Sequence, residues 1–236
     1  MKYPKNFEYV KAIQDASDNL DMSTEATNAE LNEAITDEFG VKYRKDGRKL
    51  LQAPKELDGT YSLRKGTKII CAWSFRGCTS LRNIVIPDSV TSIGDCAFYG
   101  CTSLSSIVIP DSVTSIGNCA FFHCESLSNL VIPDSVTSIG DGAFIGCRSL
   151  KSLVFSDGVT RIWERAFQYC SSLKSLVIPD SVTSIGGRAF EGCKSLRSIV
   201  VPDGVTRIWE RAFEDCNFPN DLKQELISRF GEKIFG

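Results

Sequence analysis

The stretch VIPDSVTSIG stands at Val85–Gly94 and recurs without change at 108–117, 131–140 and 177–186. Ten-residue copies spaced by 23 residues, or by 46, mark an internal repeat, which decides the architecture before any single residue is considered. The rest of the unit keeps the same clock. Cys78, Cys101, Cys124, Cys147, Cys170, Cys193 and Cys216 fall 23 apart, each with a phenylalanine three residues earlier, from Phe75 to Phe213, and an isoleucine eight residues earlier, from Ile70 to Ile208. Six full units run from 79 to 216, and a divergent unit at about 56–78 keeps the register through Tyr61, Leu63, Ile70 and Phe75.

A unit of this size cannot bury its own apolar residues. It buries them against the units before and after it, so the chain stacks into a solenoid. In LSSIVIP (104–110) the apolar spacing of Leu104, Ile107 and Ile109 is that of a leucine-rich-repeat strand. Copies of that strand pair in parallel, ~4.8 Å apart. SVTSIG supplies a second short strand with Val113 and Ile116 inward, and NCAFFHC reads as a helical turn with Ala120, Phe121 and Cys124 inward. The prolines at Pro87, Pro110, Pro133, Pro179 and Pro202 close the first strand, where a missing N–H costs no ladder bond.

The unit SLxxIVIPDSVTSIGxxAFxGC closely resembles the BspA-type, or Treponema-type, leucine-rich repeat over about 160 of the 236 residues. The lead-in VKYRKDGRKLLQAPKELDGTYSL (41–63) also looks like the segment preceding such arrays in Bacteroides-group bacteria. The resemblance implies a leucine-rich-repeat solenoid, with a parallel sheet on its concave face and short strands and helical turns on the convex side. It implies a role in protein–protein contact, and its best known members are exported surface adhesins.

Composition agrees with a folded chain and narrows its function. Residues are 42% hydrophobic and 24% charged, and the formal net charge is −2. A near-neutral chain has no global field to attract nucleic acid. No apolar run approaches the ~20 residues of a membrane-spanning helix. Glu8 and Lys11 interrupt any signal-peptide core near Met1, so the chain as written reads as cytoplasmic, and as a cell-surface protein if a leader precedes it.

The array needs caps at both ends. Residues 1–40 form an acidic helical extension of net charge −6, with one helix through Phe7, Val10 and Ile13. A second starts at a Thr27/Glu30 capping box and carries Leu31, Ala34, Ile35 and Phe39 on one stripe up to Gly40. Residues 41–55, net +5, form a hairpin turning at Asp46-Gly47 with Tyr43 facing Leu50. The acidic helices are expected to pack on that basic hairpin, the alternative being a separate docking arm. Residues 56–216 form the array. Residues 217–236 form a C-terminal capping helix started by Asn220, with Leu222, Leu226, Ile227 and Phe230 inward and Gly231 as its end.

The chain has a single histidine, His123, which leaves no Ser-His-Asp set and no histidine cluster for zinc. The periodic cysteines occupy an inward position and read as small apolar residues. The recurring aspartates from Asp88 to Asp203 read as turn formers. No catalytic, metal or cofactor site is therefore expected. Cys96 and Cys119 stand apart. Their counterparts are Gly142, Arg165, Arg188 and Arg211, which reads as a solvent-facing position, so these two are the expected reactive thiols. A zinc site joining them to Cys101, Cys124 and His123 is a weaker alternative.

The surface offers the remaining function. Val85, Val108, Val131, Val154, Val177 and Val200 point away from the core, beside a column that includes Asn83 and Asn129. Such an apolar strip marks an interaction site, set against the plainer reading of β-branched residues stacking on themselves. Trp163 and Trp209 replace a glycine, flanked by Arg161 and Arg165 or by Arg207 and Arg211, and read either as a binding edge or as a duplicated Trp–Arg stack. The functional expectation is a monomeric, non-enzymatic module that binds a protein partner through the solenoid surface. An exported adhesin is the alternative, and a thiol- or zinc-responsive protein a third.

Overall fold

The computed structural model describes residues 23–236. Each repeat makes one turn of a β-solenoid. Its first strand runs through Gly59–Ser62, Leu81–Val85, Ser106–Ile107, Asn129–Ile132, Ser152–Phe155, Ser175–Val177 and Ser198–Val200. The second strand, two residues long, recurs from Ile69–Ile70 to Arg207–Ile208. Pairing within the array is parallel, with partners 23 residues apart, as in Val131↔Val154 and Ile93↔Ile116. One residue of slip would turn every apolar side chain outward, so the hydrophobic pattern fixes this register.

The third side is not the helical turn expected. It is a run of tight turns in which N–H groups alternate in direction. Those of Cys96, Phe98 and Gly100 donate forward to the next repeat's Asn118, Ala120 and Phe122 at 2.7–2.8 Å, while those of Tyr99 and Cys101 donate back three residues. A helix would keep all these bonds within one unit. The cause is a left-handed residue at the start of each run: Cys96 has φ +54°, Cys119 +51°, Gly142 +61° and Arg165 +54°. A non-glycine residue there costs roughly 1–2 kcal/mol, offset by the bond gained to the next turn.

Inside, Phe75, Phe98, Phe121, Phe144, Phe167, Phe190 and Phe213 form one stack of fully buried rings. Successive ring centroids lie 4.9, 5.0, 5.1, 5.2, 5.6 and 5.8 Å apart, with ring planes within 9° of parallel. Each ring contributes ~1.5–3 kcal/mol by leaving water. The cysteine column does more than fill space. The thiols of Cys101, Cys124, Cys147, Cys170, Cys193 and Cys216 each donate to the carbonyl of the phenylalanine 26 residues earlier, at 3.1–3.4 Å.

The sheets are not continuous. The second-strand sheet runs unbroken to Ser138–Ile139 and restarts at Arg161–Ile162. The first-strand sheet breaks between Ser106–Ile107 and Asn129–Ile132, and again between Ser152–Phe155 and Ser175–Val177. Two of these three breaks flank the unit that carries Phe155-Ser156 in place of isoleucine and proline.

At the N-terminal end, α1 (Asn28–Asn32) is started by the reciprocal Thr27/Glu30 capping box. It stops short of the stripe expected to Phe39. Ile35–Thr36 is instead a strand, antiparallel to Lys42–Tyr43, which pairs in turn with Lys49–Gln52. The Asp37 carboxylate accepts from the N–H groups of Phe39 and Val41 at 3.0 and 2.9 Å, holding a turn that a helix could not contain. β-branched Ile35-Thr36 favours extended backbone before it, and Ile35 and Phe39 end up 40% and 55% exposed. Tyr43 faces Leu50. Residues 23–40 lie on the array: Glu30 pairs at 3.2 Å with Lys49, which is 1% exposed, and Ala26, Leu31 and Ala34 pack on Leu51, Ile69 and Cys71. The helix expected through Phe7, Val10 and Ile13 falls outside the described residues.

At the other end, α2 (Asn220–Phe230) follows Pro219 as its N-cap, with Asn220 already the first helical residue. Its proline has no side-chain donor or acceptor, and fixes the extended entry instead. Leu226 is buried while Leu222, Ile227 and Phe230 are half-buried. Gly231 ends the helix at φ +85°, and the 3-10 turn Glu232–Ile234 completes the cover. Phe213 N–H donates to the Ile234 carbonyl at 2.8 Å, where a further repeat would otherwise accept. Ile234 is fully buried.

Candidate interaction surface and thiol pair

Alternation along the first strand sends Ile84, Ile107, Leu130, Leu153, Leu176 and Ile199 into the core and each following valine outward. Val85, Val108, Val131, Val154, Val177 and Val200 are 49–74% exposed and recur at the same position of six successive turns, above strand pairing that breaks twice. Asn129 beside it is exposed and Asn83 half-buried, with Asn83 donating to the Thr60 hydroxyl at 3.3 Å. Charge divides across the column. Arg82, Lys151, Lys174 and Arg197 are exposed on one flank, and Asp88, Asp111, Asp134, Asp157, Asp180 and Asp203 on the other. Where Ser152–Phe155 and Ser175–Val177 part, an open groove of about 560 Å³ lies between Val154 and Val177, with Lys151 at one end and Asp157 and Asp180 at the other.

The tryptophans form a second feature. The Arg161 guanidinium lies 4.1 Å from the Trp163 ring and 5.1 Å from the Trp209 ring, and Arg207 lies 4.4 Å from Trp209. This is the stack of the plainer reading, with one arginine joining tryptophans two turns apart. Arg165 pairs with Glu164 at 3.0 Å and Arg211 with Glu214 at 3.9 Å, away from the rings. Trp163 is 36% exposed.

Cys96 is not solvent-facing, as its variable column suggested. It is buried, and Cys119 half-buried. What glycine, cysteine and arginine share there is a left-handed backbone, and the arginines reach water where Cys96 does not. The two thiols are neighbours, and Cys119 Sγ makes a long hydrogen bond to the Asp141 carbonyl at 3.8 Å. Cys96 is pushed up by the neighbouring Cys119 thiol and by burial, and Cys119 is drawn down by Cys96 beside it. Burial pushes the periodic thiols up as well, Cys147 and Cys216 to about 12. Cys101 and Cys124 are turned inward to their carbonyls, and His123 Nδ1 lies 3.1 Å from Glu125. The five residues of the zinc alternative therefore do not converge, and among the described residues no group of three or more His, Cys, Asp or Glu could hold a metal ion.

Sequence reasoning missed an aromatic row on the turn side. Trp73 packs on Tyr99 at 5.8 Å, Tyr99 on Phe122 at 4.7 Å, and Phe122 on His123 at 4.5 Å, with Arg76 over Trp73. The signal was present in AFYGC and AFFHC, where an aromatic stands two residues before the periodic cysteine. It also missed a buried relay under the N-terminal cap. There the Tyr61 hydroxyl donates to Asp37 Oδ2 at 2.6 Å and lies 2.6 Å from the Tyr43 hydroxyl.

Comparison with known proteins places these features. The model of the BspA type leucine rich repeat region matches in six copies, over residues 59–174 and 160–236. A leucine-rich repeat protein from Bacteroides ovatus is similar in structure, at TM-score 0.69 and 29% identity over 79% of this chain. The match covers 48% of that protein, so the chain spans about half its length. The leucine-rich repeat protein of T. pallidum matches at TM-score 0.56 and 28% identity, over 76% of this chain and 91% of that one. The pneumococcal vaccine antigen PcpA, at 23% identity and TM-score 0.58, shares the fold over 86% of this chain and 47% of its own. No curated protein matches the chain.

Proposed function

The chain belongs to the BspA-type leucine-rich repeat family, and on that premise we propose that it is a protein-interaction module whose contact surface is the valine column. The observation that carries the reading is six consecutive exposed valines, 49–74% open to solvent, on a face with no segment of the described chain over it. The partner is a protein with an extended aliphatic strip. Its acidic flank faces Arg82, Lys151, Lys174 and Arg197, and its basic flank faces the aspartate column. Asn83 and Asn129 supply polar contacts beside the valines. The Trp163/Trp209 edge, with Arg161 and Arg207, is a secondary contact, since its rings are already stacked on arginines. A surface-displayed adhesin would use the same column against an extracellular protein. Nothing in this reading calls for catalysis.

The test compares two variants in cross-linking capture: Val154→Lys with Val177→Lys, and Trp163→Gly with Trp209→Gly. The expected result is a protein captured by the parent and by the tryptophan variant but lost from the lysine variant. A partner retained by the folded lysine variant at the parent's affinity would refute the valine surface.

A further inference from the structure

Beyond partner binding, Cys96 and Cys119 stand as a pair that nothing in the interaction reading uses. They occupy the same position in adjacent turns, with φ +54° and +51°. The backbone ladder between those turns is intact: Cys96 N–H donates to the Asn118 carbonyl at 2.8 Å and Phe98 N–H to Ala120 at 2.7 Å. The neighbouring rings of Phe98 and Phe121 put the local separation of turns at 5.0 Å, inside the ~4.4–6.8 Å that a disulfide allows between Cα atoms. The next turn serves as a gauge of direction. A Cβ placed on Gly142 would lie 3.5 Å from Cys119 Sγ. A side chain at this position therefore leans over the equivalent residue one turn on, and the same lean carries Cys96 Sγ towards Cys119. The periodic cysteines are also neighbours from turn to turn, but their sulfurs donate to phenylalanine carbonyls at 3.1–3.4 Å, against 3.8 Å from Cys119 to the Asp141 carbonyl, and Cys101–Cys193 are fully buried.

We propose that Cys96 and Cys119 form a dithiol site for small-molecule disulfides, closing into a disulfide bond that staples two adjacent turns. Cys119 is the attacking group, because it is half-exposed while Cys96 is buried. Cys96 is the buried resolving group. The Cys119 thiolate attacks one sulfur of a disulfide RSSR. The S–S bond breaks, and RS⁻ leaves and takes up the proton that Cys119 had released. Cys96 then loses its proton to water and attacks Cys119 Sγ, expelling the second RS⁻, which is protonated in turn. Two protein thiols are oxidised and one RSSR is reduced to two RSH.

The experiment treats the full chain with oxidised glutathione, then counts thiols in denaturant and maps peptides without reduction. The parent should fall from ten free thiols to eight, ten less the two joined, with Cys96 linked to Cys119 and a raised melting temperature. Cys96→Ser should stop at glutathione on Cys119. Cys119→Ser should leave Cys96 unmodified, since burial hides it. Ten free thiols in the treated parent, a linkage within the periodic column, or glutathione on Cys96 in Cys119→Ser would each overturn the proposal. The parent's peptide map needs no variant, so it decides the matter even if a serine variant folds poorly.

Discussion

The first and last halves of the array use one core and two different edges. Up to Ile139 the second-strand sheet is continuous, the phenylalanine rings sit 4.9–5.1 Å apart, and each turn passes through Gly94, Gly117 or Gly140. A Cβ on any of these would come within 2.4–2.5 Å of backbone nitrogen in the preceding turn. Beyond Ile139 the sheet restarts, the rings spread to 5.8 Å, and tryptophans occupy two of the glycine positions. The core columns are the same on both sides of the break. The wider ring spacing coincides with the turns that carry the tryptophans and follow the lost proline.

The largest expected effect comes from removing the C-terminal cover. Deleting 221–236 takes away Leu226 and Ile234 and leaves the Phe213 N–H without its acceptor. Hydrogen exchange should show protection lost around Phe190 and Phe213 while Phe98 and Phe121 stay protected, together with aggregation of the exposed end. Uniform loss along the chain would mean that the halves are one cooperative unit.

Next come paired core truncations. Phe98→Ala and Phe190→Ala should each cost ~3–5 kcal/mol in urea unfolding, with the tighter N-terminal site costing more. Equal costs would leave the ring spacing without energetic meaning. A smaller contrast lies at the glycines. Gly117→Ala forces a Cβ to within 2.5 Å of the Asp95 nitrogen and should cost roughly 1–3 kcal/mol. Gly187→Ala, whose nearest contact is 3.3 Å, should stay within about 0.5 kcal/mol. The last contrast is Arg161→Ala, which removes the cation shared by Trp163 and Trp209. It should cost about 1 kcal/mol and change tryptophan fluorescence, and an unchanged emission would separate the two rings.

The columns were legible in the sequence because translation by 23 residues makes every inward side chain its own neighbour, so period and burial are one fact. Phe121 and Ile116 could be placed inside by counting alone. What failed was whatever depends on φ. Cys96 looked exposed because its column mixes glycine, cysteine and arginine, yet what those positions share is a left-handed backbone. The same signal hid the turns behind a helical reading of NCAFFHC. At the N-terminal end, the Thr27/Glu30 box was readable as local chemistry. The strand at Ile35–Thr36 was not, because it depends on a partner, Lys42–Tyr43, and on the turn held by Asp37. The valine column was placed outward by alternation, but what binds there is a property of two molecules.

The thiol ladder has a consequence for how such a chain changes length. Each cysteine donates to a carbonyl exactly one unit back in the stack, and the first of them, Cys78, finds its acceptor in the Pro54 carbonyl of the hairpin at 3.3 Å. The hairpin thus imitates a preceding unit, as the 3-10 turn at Ile234 imitates a following one. Between two such counterfeits the number of units is a free parameter. A 23-residue insertion in phase restores every donor and acceptor and lengthens the valine face by one residue, whereas a change of 22 or 24 leaves one turn out of step with both neighbours. Length in this array therefore changes with every bond kept only in whole units.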